Sequence, residues 1–181
     1  SLRTRWRSAA LMSSPSVLSH RAVALKPSLT LAISARAQAL KEAGRDTVVA
    51  GNVGLPFSSV VRSLGREGIF VIEVSSFQLE TISRFHPDVG GILNLTPDHL
   101  DRYDSMEEYV GAKTRILSNL GPGDTFFYNA LDERCRELAS SFDGRRVPFS
   151  SKGMVEGGVY LDGDDMVRWR EGRGEVFMRR N

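Results

Sequence analysis

The chain has 181 residues, 41% hydrophobic and 25% charged, with a formal net charge of +2 and one cysteine. That length suits one domain with a real core, and so small a charge gives no reason to expect a nucleic-acid partner. The lone Cys135 excludes a disulfide framework, and no run reaches the roughly 18 apolar residues of a membrane span, so no spanning segment is expected. A cytoplasmic monomer, away from membranes, is a further expectation.

Between Ser1 and Lys41 there is no acidic residue, while Arg3, Arg5, Arg7, Arg21, Lys26, Arg36 and Lys41 are basic. An Arg- and Ser-rich, acid-poor opening has the composition of an organelle transit peptide. A disordered tail, or a stretch read out of register with the rest, has the same texture. Residues 1–27 are therefore set apart from 28–181. "SLTLAISARAQALKEAG" then predicts a helix, with Leu29, Ile33, Ala37 and Leu40 on one face and Gly44 as its stop. "DTVVAGN" predicts a short strand ending in Gly51, and "FSSVVRSLGREG" a short helix and loop after Pro56. "IFVIEV" is continuous and β-branched, as in a strand buried on both faces. "SSFQLETISRF" predicts one or two helical turns and "DVGGILNLT" the next buried strand. In "SMEEYVGAKTRILSNL", Ser105 followed three residues on by Glu108 reads as a capping box opening a helix. "GPGDTFFYNA" predicts a turn and strand, "LDERCRELASSF" a helix holding Cys135 as a packed, inert thiol, and "RRVPFS" a strand. Past Ser151 the texture changes to a β-hairpin, "GGVYLDGDDMVRW", turning near Gly163 and Asp164, followed by "EVFMRR". Strands alternating with helices predict an α/β fold, a doubly wound and mostly parallel sheet with a small hairpin region at its C-terminal end.

The polar residues collect where strands end, which is where open parallel sheets build ligand sites. Glu73 closes a strand whose preceding residues are apolar; a carboxylate there pairs with a cation or binds a metal, because leaving it buried alone costs several kcal/mol. Asp98 and His99 follow the next strand, and Lys113 lies on the helix after that. A carboxylate and an imidazole with open positions suit Mg²⁺ or Mn²⁺ shared with phosphates. Equally consistent is an ion pair of Glu73 with Lys113 or Arg102, with His99 as a cap. Lys113, flanked by apolar positions, is either a half-buried functional amine or a snorkelling surface lysine. Gly51, Asn52 and Gly54 allow close backbone approach to a ligand, or form a plain tight turn. Ser75, Ser76 and Gln78 offer hydroxyl and amide groups to an anion, or simply cap a helix.

Taken together and in order, "GNVGLP", "EVSSFQLE", "NLTPDHLDRY" and "YVGAKTRI" resemble the Mur ligases, over roughly Leu29 to Ser150. "SSFQLE" and "DHLDRY" look like the members that add D-glutamate. The resemblance implies a P-loop-type central domain of an ATP-dependent ligase of peptidoglycan synthesis, acting on UDP-N-acetylmuramoyl-L-alanine and D-glutamate with Mg²⁺ or Mn²⁺. It implies Glu73, His99 and Lys113 as metal-site residues, Lys113 through carbamylation, with Lys113 and His99 serving catalysis. It implies Asn52 and Glu73 as nucleotide-site residues, and Asn52, Ser75, Ser76 and Gln78 near substrate. One departure is large. The family's G-K-[ST] loop should fall near Leu29 and Thr30, where this chain reads "LKPSLTLA" without glycine. No phosphate cradle is expected there, so the chain as written is expected to be inactive. The other reading is a non-catalytic α/β module that binds a nucleotide-sugar or a protein.

Overall fold

The computed structural model describes residues 41–42, 44–97 and 102–179. The segment 1–27, the stretch near Leu29 and Thr30 where the family's phosphate loop would fall, most of the first predicted helix, and Asp98 and His99 lie outside the described residues. The chain divides into two compact units between Glu73 and Val74.

In the first unit, β1 (Thr47–Gly51) and β2 (Ile69–Glu73) pair in parallel, with Thr47 opposite Ile69 and Gly51 opposite Glu73. β-Branched residues make up three of the five positions in each strand, which suits a pleated surface. A short helix, α1 (Phe57–Val60), starts after Pro56, and its Phe57 ring stands edge-on to Phe70 at 5.4 Å. Gly51 is the conformational exception: its φ of +126° is left-handed, and an added Cβ would collide with the Glu73 carbonyl. Only glycine lets β1 end this close to the end of β2.

The second unit carries a six-stranded sheet in sequence order: β3 (Val89–Ile92), β4 (Thr125–Asn129), β5 (Arg145–Ser150), β6 (Val159–Asp162), β7 (Asp165–Arg170) and β8 (Arg173–Arg179). β3 to β6 run parallel, and β6 to β8 antiparallel. Its helices are α2 (Ser76–Leu79), α3 (Met106–Thr114), which tightens into a 3₁₀ turn over Arg115–Leu117, and α4 (Glu133–Ser141). The predicted alternation is present. Three features differ from the sequence reading. No residue of β2 is fully buried and β3 alternates exposed with buried residues, where strands covered on both faces were expected. β1 and β2 form their own two-stranded sheet, and the C-terminal hairpin continues the larger sheet as a three-stranded meander.

The core of this unit gathers Leu79, Ile92, Leu95, Ile116, Phe126, Cys135 and Ala139. Cys135 is wholly buried, and burial, with Asp132 close by, pushes its thiol up to about 12, in keeping with an inert packed residue. Proline inside β5 is tolerated for a geometric reason. Arg145 donates its N–H to Asp124 on the β4 side, so alternation turns the nitrogen of Pro148 the other way, where β6 pairs only from Phe149 onward. That slight overlap also explains a parallel connection with no helix: the chain need not travel back along β5 before β6 begins.

Both C-terminal turns have two-residue loops. Asp162 faces Asp165 across Gly163-Asp164, with φ +59° at Gly163, as a type II′ turn requires. Arg170 faces Arg173 across Glu171-Gly172, with φ +53° and +77°, a type I′ pattern. Glutamate is poorly suited to that position. Glu171→Asn should therefore raise stability by about 0.5–1 kcal/mol, since asparagine tolerates the left-handed region. The Arg170–Glu171 ion pair it removes is exposed on both sides and contributes little. Thermal denaturation checks this, and a lower melting temperature would contradict it.

Candidate functional site

The first unit presents Glu73 at the carboxyl end of β2. The Glu73 carbonyl accepts the Asn52 N–H at 2.8 Å, and the Gly51 N–H donates to Leu55 at 2.8 Å, which fixes the "GNVGL" turn by its backbone. The Asn52 side chain is exposed and unengaged among the described residues. Glu73 Oε2 is buried and has no hydrogen-bond partner among them. An orphaned carboxylate oxygen demands a donor or a cation, and a hard oxygen ligand of this kind fits Mg²⁺. No group of three or more His, Cys, Asp and Glu side chains with metal-holding geometry occurs among the described residues.

The second unit places Ser75, Ser76, Gln78 and Lys113. Ser75 caps α2: its Oγ accepts the Gln78 N–H at 3.3 Å, while Gln78 Oε1 accepts the Ser75 N–H at 3.0 Å. The reciprocal box satisfies two donors that a helix start would leave free. What Gln78 still offers is its exposed amide nitrogen. Ser76 is buried, 4% exposed, and its hydroxyl meets the Tyr103 phenol.

α3 starts on Ser105, whose Oγ accepts the Glu108 N–H at 3.1 Å. The Glu108 carboxylate reaches one residue further back than expected, accepting from the Asp104 N–H at 2.9 Å. Acidic residues in the first turn and Lys113 in the last both suit the helix dipole. Lys113 is half-buried, with its Nζ 4.8 Å from the centroid of the Tyr109 ring and 3.5 Å from the Asn94 carbonyl at the end of β3. A cation over an aromatic face is attracted by the ring quadrupole.

Sequence reasoning offered Arg102 as a partner for Glu73; the structure gives Arg102 to Glu80 instead. Glu80 accepts the Tyr103 hydroxyl at 2.6 Å and the Arg102 guanidinium at 3.0 Å. The Tyr103 bond, then Arg102, holds the Glu80 carboxyl below the usual carboxylate range, and burial raises the Tyr103 phenol. Arg102 also lies 4.5 Å over the Phe77 ring, which stacks on Tyr103. Two further anchors were not anticipated. Asp132 caps α4 through Cys135 and also accepts the Leu95 N–H at 2.8 Å, while the Asn129 amide donates to Leu93 at 3.0 Å. Together they hold the carboxyl ends of β3 and β4. A cap before "ERCRELASS" is readable at Asp132; its second partner, 37 residues away, is not.

Comparison with known proteins adds the following. The sequence pattern of the Mur ligase middle domain matches residues 32–174. The UDP-N-acetylmuramoylalanine--D-glutamate ligase of Pelotomaculum thermopropionicum is 42% identical over 139 residues, covering 77% of this chain and 30% of that protein. The enzyme of the same name from Clostridioides difficile is 42% identical over 125 residues, covering 69% of this chain and 28% of that protein. The chain thus spans about 30% of the length of the curated relatives it matches. Among solved structures, the MurF ligase of Thermotoga maritima in complex with ADP superposes with a TM-score of 0.56 at 16% identity, covering 78% of this chain and 35% of that one. MurF from Acinetobacter baumannii gives 0.54 at 16% identity, covering 81% of this chain and 35% of that one. At that identity the likeness speaks for the fold.

Proposed function

Since the chain belongs to the Mur ligase family, through its middle domain, we propose that it is the central module of a ligase joining D-glutamate to UDP-N-acetylmuramoyl-L-alanine with ATP. The observation that carries this reading is the orphaned Glu73 oxygen at the end of β2, in a sequence about 42% identical to D-glutamate ligases. In this reaction the γ-phosphoryl group passes to the substrate carboxylate, and the D-glutamate amine then displaces phosphate, forming the amide and releasing a proton. Glu73, His99 and carbamylated Lys113 would hold Mg²⁺, which when bound neutralises phosphate charge and aligns the transfer. Asn52 offers a free amide where β1 ends, suited to both nucleotide and substrate. Of Ser75, Ser76 and Gln78, which the same reading puts near substrate, Gln78 has its exposed amide nitrogen to offer, while Ser75 is engaged as the cap and Ser76 is buried against Tyr103.

The same reading makes the chain by itself inactive. "LKPSLTLA" supplies no glycine to let backbone curl around a phosphate, and proline removes a donor. A chimera tests both parts. Residues 41–174 replace the matching segment of the Pelotomaculum thermopropionicum ligase, which keeps its own flanking regions and phosphate loop. The chimera is expected to release phosphate only when D-glutamate and the UDP-linked acid are both present, and the isolated chain is expected to release none. A folded chimera that accepts another amino acid, or none, would refute the assignment.

A further inference from the structure

The runs "SSFQLE" and "DRY" each contain charged or aromatic residues that the proposed chemistry does not use: Phe77, Glu80, Arg102 and Tyr103. The structure shows them locked to one another. Glu80 takes Tyr103 on Oε1 and Arg102 on Oε2, so both oxygens of one carboxylate are occupied. Arg102 in turn covers Phe77, leaving this guanidinium committed to Glu80 and the ring. Residues engaged in this way are poorly placed to bind substrate. Their effect must pass through what they hold.

What they hold is Tyr103. It is 5% exposed, and its ring packs against Tyr109, itself 1% exposed, at 5.4 Å between centroids. Tyr109 lies one helical turn before Lys113, and its ring carries the Lys113 ammonium. An uninterrupted series of contacts therefore runs from Glu80 through Tyr103 and Tyr109 to Lys113 Nζ, which also reaches the carbonyl of Asn94 beyond the end of β3. A lysine has four rotatable side-chain bonds, and holding its head at one place requires packing on more than one side. Here the ring supplies one side and the Asn94 carbonyl the other.

We propose that Glu80 is a positioning residue for Lys113, acting through Tyr103 and Tyr109 to hold the amine beside the carboxyl end of β3. Its consequence for ligation rests on the proposed function, but its test needs no catalysis. The chain has four lysines, Lys26, Lys41, Lys113 and Lys152, so reductive dimethylation with ¹³C-formaldehyde and a borohydride-type hydride donor, which also labels the N-terminal amine, gives a simple NMR spectrum in which every lysine keeps its charge. The Lys113 methyl signals should be displaced upfield from the other lysines by the Tyr109 ring, and Tyr109→Leu should abolish that displacement. Glu80→Ala should remove most of it. So should Tyr103→Phe, which keeps the ring but loses the hydroxyl that Glu80 grips. Glu80→Gln retains an acceptor for Tyr103 and should restore most of it. Val167→Ala, which loosens the core at β7 outside this series of contacts, should leave it unchanged and so separates positioning from general loss of stability. A displacement that survives both Glu80→Ala and Tyr103→Phe, or that is missing from the unsubstituted chain, overturns the proposal. If Glu80→Ala does not fold, Tyr103→Phe decides alone.

Discussion

Phe126→Ala is expected to cost about 3–5 kcal/mol of stability, enough to unfold a large share of the chain at ordinary temperature. Phe126 is fully buried in β4, the strand between β3 and β5. Its ring lies 5.6 Å from that of Tyr128 and meets Phe142 edge-on at 5.7 Å. Removing it opens a cavity beneath α4, where Cys135 and Ala139 are already in close packing and too small to fill the space. Phe126→Leu should cost far less, because most of the volume remains. Urea denaturation of the two variants checks both the size and the order. A Phe126→Ala loss below about 1 kcal/mol would mean that the sheet is not held by this cluster.

The elements that were legible in the sequence are those set by local chemistry. "TFFYN" and "IFVIE" read as strands because their side chains suit a pleated, largely covered surface. Ser105 reads as a cap because a short side-chain oxygen before a helical pattern has one obvious use. The turn at Gly163 was legible for the same reason, whereas the one at Glu171 was not, since glutamate gives no turn signal. Pairing between distant segments was harder to read. Arg102 could have answered any carboxylate in the region, and only the packing of Phe77 against Tyr103 commits it to Glu80, 22 residues earlier. The separation of β1 and β2 from the larger sheet was likewise invisible, because parallel strands of either sheet have the same composition. In the candidate site, the residue types at the strand ends were legible. The burial of Ser76 against Tyr103, and the seat of Lys113 on Tyr109, depend on side-chain geometry that spacing does not fix.

In the chimeric ligase, Lys113→Ala should lower turnover by about 10²-fold or more, the scale on which a single charge-stabilising group acts. An unmodified ammonium would repel a divalent cation. On the proposed reading carbamylation would change this: the ammonium gives up one proton, the neutral amine attacks CO₂, the N–C bond forms as one C=O π bond opens onto oxygen, and a second proton leaves to solvent, so a cation becomes an oxygen anion. Half-buried at the last turn of α3, Lys113 is accessible enough to meet CO₂ and held well enough to aim the product. Raised bicarbonate should therefore increase the activity of the unsubstituted chimera until the amine is fully modified. It should not help Lys113→Ala, which has no amine. A short carboxylic acid such as acetate, taking the space the side chain leaves, should restore part of that variant's activity. Glu73→Ala should respond far less to the same acid, because the carboxylate oxygen it removes is itself buried at the end of β2. Steady-state phosphate release from the two variants, with and without acetate, makes the comparison. Equal rescue of both would mean that the Glu73 position is open to solvent. Rescue of neither, together with full activity of Lys113→Ala, would remove Lys113 from the reaction altogether.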